Sequence, residues 1–203
     1  MKVALIGASG NVGTRILAEL LSRGHEVTGI VRYPEKLPPR EGLTAARGDV
    51  NDEAGLSKLL AGHDACVSSV KFQTTEAQSL IGAVKKAGVG RLLVVGGAGS
   101  LEIAPGVALV DTPDFPEAYK PEALAARDFL NALREERELD WTFLSPSALF
   151  VPGERTGKFR LGTDALLVGP GGESRVSFED YAVALADELE TPRHSRQRFT
   201  VGY

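Results

Sequence analysis

The sequence predicts an α/β fold, a doubly wound and mostly parallel sheet with helices on both faces and a small C-terminal cap. Two observations carry that expectation. Short apolar runs alternate with apolar residues at helical spacing from the N-terminus onward, the pattern of repeated strand–helix–strand units. The first run ends in a glycine-rich turn that opens a helix, Gly7-Ala8-Ser9-Gly10-Asn11-Val12-Gly13, at the end of the strand where such sheets bind ligands.

The elements follow in order. Residues 3–6 read as a buried strand, and Val12, Ile16 and Leu20 recur at helical spacing until Gly24 stops the helix. Residues 26–32, rich in β-branched side chains, give a second strand. Residues 33–42 hold Pro34, Pro38 and Pro39 and are too proline-rich for a good helix. A third strand over 43–50 ends in Gly48-Asp49-Val50. The next helix starts at Asn51 or Asp52, carries Leu56, Leu59 and Leu60 on one face, and stops near Gly62. A fourth strand covers 65–70. Thr74-Thr75-Glu76 begins a helix bearing Leu80, Ile81 and Val84, closed by Gly88. The fifth strand, 91–95, runs into Gly96-Gly97-Ala98-Gly99-Ser100. Residues 101–116 read as a long irregular connection, which in compact domains is usually functional or mobile.

A helix over 117–138 has Pro121 in its early part, and a sixth strand follows over 140–145. The glycine-rich stretch 151–175 is expected as a cap over the site. Ser177-Phe178-Glu179-Asp180 resembles a capping box opening a last helix through Leu189, and 199–201 adds a terminal strand. No internal repeat or clean boundary divides the chain, so residues 1–203 are expected as one domain.

Composition narrows the function. With 203 residues the chain can bury a core without covalent staples. Cys66 is the only cysteine, so an internal disulfide is excluded, and its apolar setting favours a buried thiol over a reactive one. A net charge of −4 argues against a general nucleic-acid footprint. No apolar stretch approaches the ~20 residues of a membrane-spanning helix. The N-terminal apolar run is too short for a signal peptide, and a glycine motif stands where a cleavage site should be. A cytoplasmic protein acting on small molecules is expected, monomeric or homodimeric, with no nucleic-acid or membrane partner. His25, His63 and His194 are scattered without metal-ligand spacing, so no metal is expected.

The glycine motif has a specific chemistry. Its first glycine allows a sharp turn from strand to helix, its second lets the backbone approach a pyrophosphate, and its third permits close helix–strand packing. The free N–H groups of the helix stabilise the anion, and Ser9 and Asn11 add side-chain donors. This is the Rossmann-type arrangement for a nicotinamide dinucleotide. The second strand ends Gly29-Ile30-Val31-Arg32, with no acid at its tip. An acid there would bind the ribose hydroxyls of NAD, whereas arginine suits the 2′-phosphate of NADP. Arg32, helped by Lys36, therefore favours NADP(H) over NAD(H). Asp49, with Val50 beside it, either accepts a bond from the adenine amine or serves as a helix-entry carboxylate.

These residues resemble the atypical short-chain dehydrogenase/reductases, and most closely their NADH-flavin reductase branch, related to biliverdin/flavin reductase. The resemblance covers essentially the whole chain. Besides Gly7, Gly10, Gly13 and Arg32 it rests on Val94-Val95-Gly96-Gly97-Ala98-Gly99-Ser100-Leu101, Asp111-Thr112-Pro113-Asp114-Phe115-Pro116 and the tail Phe199-Thr200-Val201-Gly202-Tyr203. It implies that Ser68, Ser69 and Val70 line the nicotinamide ribose, that Ser100 lies near the reactive ring, and that Pro146 and Ser147 back the nicotinamide. For Ser68 and Ser69, strand-end hydrogen bonding is the alternative.

One departure matters. The superfamily's usual Tyr-x-x-x-Lys acid pair is missing: Tyr119 is near the expected place, but Ala123 stands where the lysine would be. Lys120 lies about 100° around the helix and cannot substitute. Hydride transfer to a flavin needs no such pair, because the proton can come later from water. The resemblance thus implies a reductase that passes hydride to a flavin, quinone or similar flat acceptor, with flavin as substrate rather than resident group. Ser100 is the candidate for polarising the acceptor and Tyr119 a second candidate. Two other readings stay open: an NADP(H)-binding redox sensor without turnover, and a sugar-nucleotide epimerase or dehydratase, which normally needs the missing pair.

Overall fold

The computed structural model describes residues 1–203. In chain order the strands are β1 (Lys2–Ile6), β2 (Glu26–Val31), β3 (Leu43–Arg47), β4 (Ala65–Ser68), β5 (Arg91–Val95), β6 (Glu102–Ala104), β7 (Val107–Ala108), β8 (Asp140–Pro146), β9 (Leu149–Val151), β10 (Arg160–Gly162), β11 (Arg175–Ser177) and β12 (Gln197–Gly202). The helices are α1 (Asn11–Ser22), α2 (Glu53–Leu60), α3 (Ala77–Lys86), α4 (Lys120–Glu135) and α5 (Phe178–Glu190).

Eight strands form the central sheet in the order β10-β12-β8-β5-β4-β1-β2-β3. All pair in parallel except β10, which runs antiparallel to β12. From β1 the chain winds outward to β2 and β3, then returns to β4 on the other side of β1. That reversal makes a crevice at the carboxyl ends of β1 and β4, the switch point of a doubly wound sheet. The fold class read from the sequence is the one observed.

Both faces of the sheet are covered. One core packs Leu17 and Leu20 of α1 with Tyr181 and Leu185 of α5 against Val3, Leu5 and Val67. The other packs Leu56, Leu80, Val84 and Phe129 of α2, α3 and α4 against Ala4, Cys66 and Leu92. Strands buried on both sides carry unbroken apolar runs, which is why they were visible in the sequence.

The helix signals work as their chemistry requires. Gly24 adopts φ +78° after α1, and its N–H and that of His25 return to the Leu21 and Leu20 carbonyls. Gly88 closes α3 in the same left-handed way. Asp52 caps α2 by accepting from the Gly55 N–H, and Ser177 caps α5 by accepting from the Asp180 N–H.

Several boundaries move. The third strand stops at Arg47 and the fourth at Ser68, because Gly48 and Ser69 begin the loops that shape the site. The helix expected from Thr74 starts at Ala77, after a single 3₁₀ turn at Phe72–Thr74. The connection 101–116 is ordered: β6 and β7 form a small hairpin around Gly106 (φ +74°), and Val110 is fully buried.

The stretch 151–175 differs most from its expected role as a cap. Residues 153–157 lie along α1 and α5, β10 joins the sheet edge, and 164–166 bond to Glu102 of β6; none of the stretch lines the large cavity. Arg155 makes two bonds to the buried Glu19 of α1, at 2.7 and 2.8 Å. The N–H groups of Thr156 and Gly157 and the Thr156 hydroxyl converge on Asp180, as does the Tyr203 hydroxyl. Asp180 is therefore not free to complete the expected capping box, and the Ser177 N–H turns to the Tyr203 oxygen instead.

Burial pushes the Asp180 carboxyl up, but the bonds from Thr156, Gly157 and Tyr203 outweigh it and hold the group below its usual range. Such a group adds stability above its unfolded pKa, about 3.9, and that stability fades as pH falls through the depressed folded value. Asp180→Ala is expected to lower unfolding free energy by about 2–3 kcal/mol near neutral pH and to flatten the acid limb. Urea titrations followed by Trp141 fluorescence, repeated at descending pH, measure both.

Candidate functional site

The site grows from the turn after β1. Gly7 sits at φ +81°, a left-handed conformation that side chains disfavour. Its N–H donates to the Ile30 carbonyl and its own carbonyl accepts from Gly10. A Cβ added at Gly7 would lie 2.0 Å from the Ser69 carbonyl oxygen, and one at Gly13 would lie 2.1 Å from the Gly7 oxygen. Gly10 is different: the nearest atom to its Cβ is 3.3 Å away. Two of the three glycines are thus demanded by the chain's own packing, while Gly10 presents bare backbone to an open groove. The first turn of α1 has no side-chain cap and no acidic residue, so its N–H groups and positive end face that groove unneutralised.

The groove, about 370 Å³, runs over the ends of β1 and β2 and is lined by Gly7, Ser9, Gly10, Arg32, Asp49, Val50, Ser69 and Val70. Arg32 is exposed there and makes no ion pair within the protein. Asp49 holds the Asn51 N–H with one oxygen, at 2.9 Å. Asn51 then ties the far wall: its amide donates to the Thr74 carbonyl and accepts from the Glu76 N–H. An uncapped helix end, bare glycine backbone and a free guanidinium are the donors a dinucleotide pyrophosphate and ribose phosphate require. The residues fit that group.

A second cavity of about 670 Å³ adjoins the groove, and Gly10, Ser69, Val70 and Lys71 line both. Its walls are Val12, Phe72, Val95, Leu109, Phe115 and Phe150, with Asn11, Pro146, Ser147 and Tyr119 among the remaining lining residues. Glu122 of α4 accepts from the backbone N–H groups of Phe72 and Gln73, at 2.7 and 3.1 Å, and so couples α4 to the loop after β4. The Ser147 hydroxyl is buried and donates to the Val201 carbonyl.

Three residues singled out in the sequence stand elsewhere. Ser100 lies outside the cavity: its hydroxyl accepts from Arg198 at 3.2 Å, in a polar depression with Asp164 and Arg134. The turn closed by Leu101 N–H onto the Ala98 carbonyl carries it there. Ser68 is the last residue of β4 and fully within the protein, its hydroxyl without a partner, so Ser69 and Val70 reach the site without it. Lys36 lines neither space and sits 4.9 Å above the Tyr33 ring.

Tyr119 is at the cavity rim, 68% exposed, with Ala123 a turn later. Lys120 points to Glu117 and does not back the tyrosine. Cys66 is fully buried, and burial pushes its thiol up to about 12.

Sequence reading missed Lys71, Phe72, Glu122 and Phe150. Lys71 and Phe72 follow the strand that carried the expected serines, and only the 3₁₀ turn puts them in the wall. The Asp111–Pro116 segment forms part of the cavity wall through Phe115.

Comparison with known proteins shows the family and the fold. The family profile described as NAD(P)H-binding matches residues 7–192. A Burkholderia pseudomallei structure, provisionally described as an exported protein, is 46% identical with a TM-score of 0.91 and full coverage of both chains. One from Bacteroides thetaiotaomicron, provisionally an epimerase, is 47% identical with a TM-score of 0.95, covering 100% of this chain and 96% of that one. One from Streptococcus pneumoniae, provisionally an NADH-flavin reductase, is 36% identical with a TM-score of 0.87, covering 100% and 99%.

Gly10→Ala, at the N-cap, should lower the thermal midpoint only modestly yet weaken NADPH binding at least about tenfold, a loss of about 1.4 kcal/mol. Gly13→Ala should lower both. Calorimetric unfolding and nicotinamide fluorescence titration separate the two effects.

Proposed function

The chain belongs to the NAD(P)H-binding family, and from that premise we propose that it is an NADP(H)-dependent reductase passing hydride to a flavin, quinone or similar flat acceptor. One observation carries the reading: a mostly apolar cavity shares its inner wall with the dinucleotide groove and lacks the Tyr-x-x-x-Lys pair, Ala123 standing a turn after Tyr119. Tyr119 is exposed and unsupported by a lysine, which disfavours alcohol–ketone chemistry. A conjugated acceptor does not need that proton relay.

When bound, the reduced nicotinamide supplies the hydride. The chain's contribution is placement, an effect worth several kcal/mol when two rings are held at contact distance. Gly10 and the first turn of α1 hold the pyrophosphate, Arg32 the 2′-phosphate, and Ser69 and Val70 the edge shared by the two spaces. Phe72, Phe115 and Phe150 keep water from the acceptor's faces. The acceptor enters and leaves as a substrate, and its proton comes from solvent at the open mouth. A cytosolic location goes with this reading, because the dinucleotide must be re-reduced between turnovers.

Arg32→Ala should raise KM for NADPH by about ten- to hundredfold, the cost of a charge-assisted bond of about 1.5–3 kcal/mol, and leave NADH almost untouched. Loss of reduced-nicotinamide absorbance, with riboflavin or menadione as acceptor, is the assay. NADPH binding with no turnover on any flavin or quinone would overturn the reductase reading and favour a redox sensor.

A further inference from the structure

We infer that the acceptor is an uncharged planar ring that carries no phosphate, an inference that rests on the reductase reading and names its substrate class. The charge lining the large cavity points this way. Lys71 is its only cation, and Lys71 also lines the dinucleotide groove, so the phosphates of a bound dinucleotide compete for it. What then remains at the cavity is Asp114 and Glu122. Asp114 is exposed at the mouth and has no ion-pair or hydrogen-bond partner in the protein, so it presents its charge there through solvent. Glu122 is fixed by the N–H groups of Phe72 and Gln73.

Apart from the lysine it shares with the groove, the cavity offers a phosphate-bearing acceptor no cationic donor. Phosphates are held by arginine forks or by free helix N-termini. The N-terminus of α1 serves the dinucleotide. That of α4 carries Glu122 in its first turn, which already complements the positive end. The nearby arginines are committed elsewhere: Arg127 pairs with Asp111 at 3.0 Å, and Arg198 with Asp164. Both line the polar depression behind Ser100 rather than the cavity. An anionic tail placed at this mouth meets carboxylates, while an uncharged ring meets Phe72, Phe115, Phe150 and Leu109.

The test is binding, with turnover as a separate readout. Riboflavin and FMN are titrated into the protein saturated with NADP⁺, following quenching of flavin fluorescence. Riboflavin should bind about fivefold more tightly than FMN, as like-charge repulsion at a solvent-exposed carboxylate allows. Raising the salt should narrow the gap, and so should Asp114→Asn. Equal or tighter binding of FMN overturns the inference whether or not the protein turns over. Preferential riboflavin binding without NADPH oxidation on riboflavin or menadione upholds the cavity's selectivity and overturns the reductase reading instead, so the two failures are distinct.

Discussion

The structure depends on one close approach, the packing of Gly7 against the Ser69 carbonyl and of Gly13 against Gly7. With no side chain at either position, the end of β1, the start of α1 and the exit from β4 meet within van der Waals distance. That contact draws β1 and β4 together at the point where the winding reverses, and it aims the uncapped end of α1 across the crevice. A methyl group at Gly7 would strike backbone rather than a yielding side chain, so relief would have to come from the sheet itself. The groove, the shared wall and the cavity are all downstream of this junction.

The cavity beside it is shaped by loops rather than by the sheet. One wall comes from the 3₁₀ turn after β4, another from the connection between β5 and α4, and Glu122 ties the first of these to α4. Loops carried on a rigid sheet are where related proteins diversify, and the similar structures bear three different provisional descriptions despite one fold. The fold therefore argues for the dinucleotide, and only the cavity lining argues for the acceptor.

What the sequence made legible follows from what it encodes locally. Strands covered on both faces are apolar without interruption, and the glycine turn follows the first of them directly, so the sheet and its binding end could be read. Arg32 was legible because it is fixed by one strand's length. Ser100 was not, since its direction depends on a turn closed by Leu101 onto Ala98 and on Arg198, nearly a hundred residues away in sequence. Ser68 and Ser69 are neighbours with opposite fates, decided by where β4 stops. The role of 151–175 depended on long-range bonds to Glu19 and Asp180, which no local pattern reveals. Lys71 and Glu122 needed the spatial meeting of β4's exit with α4.

The antiparallel strand β10 has a consequence beyond the site. A parallel sheet leaves a row of unpaired backbone groups at each flank, open to strand addition by another chain. At one flank β10 is only three residues long, and Arg160 reaches from it to the Val168 and Tyr203 carbonyls. At the other, β3 is five residues, Leu-Thr-Ala-Ala-Arg, with one large apolar side chain, Leu43, packed inward. Neither flank offers a long, flat, apolar template, so the sheet is poorly suited to grow by edge-to-edge pairing. The borders of the sheet thus work against strand addition, independently of its chemistry.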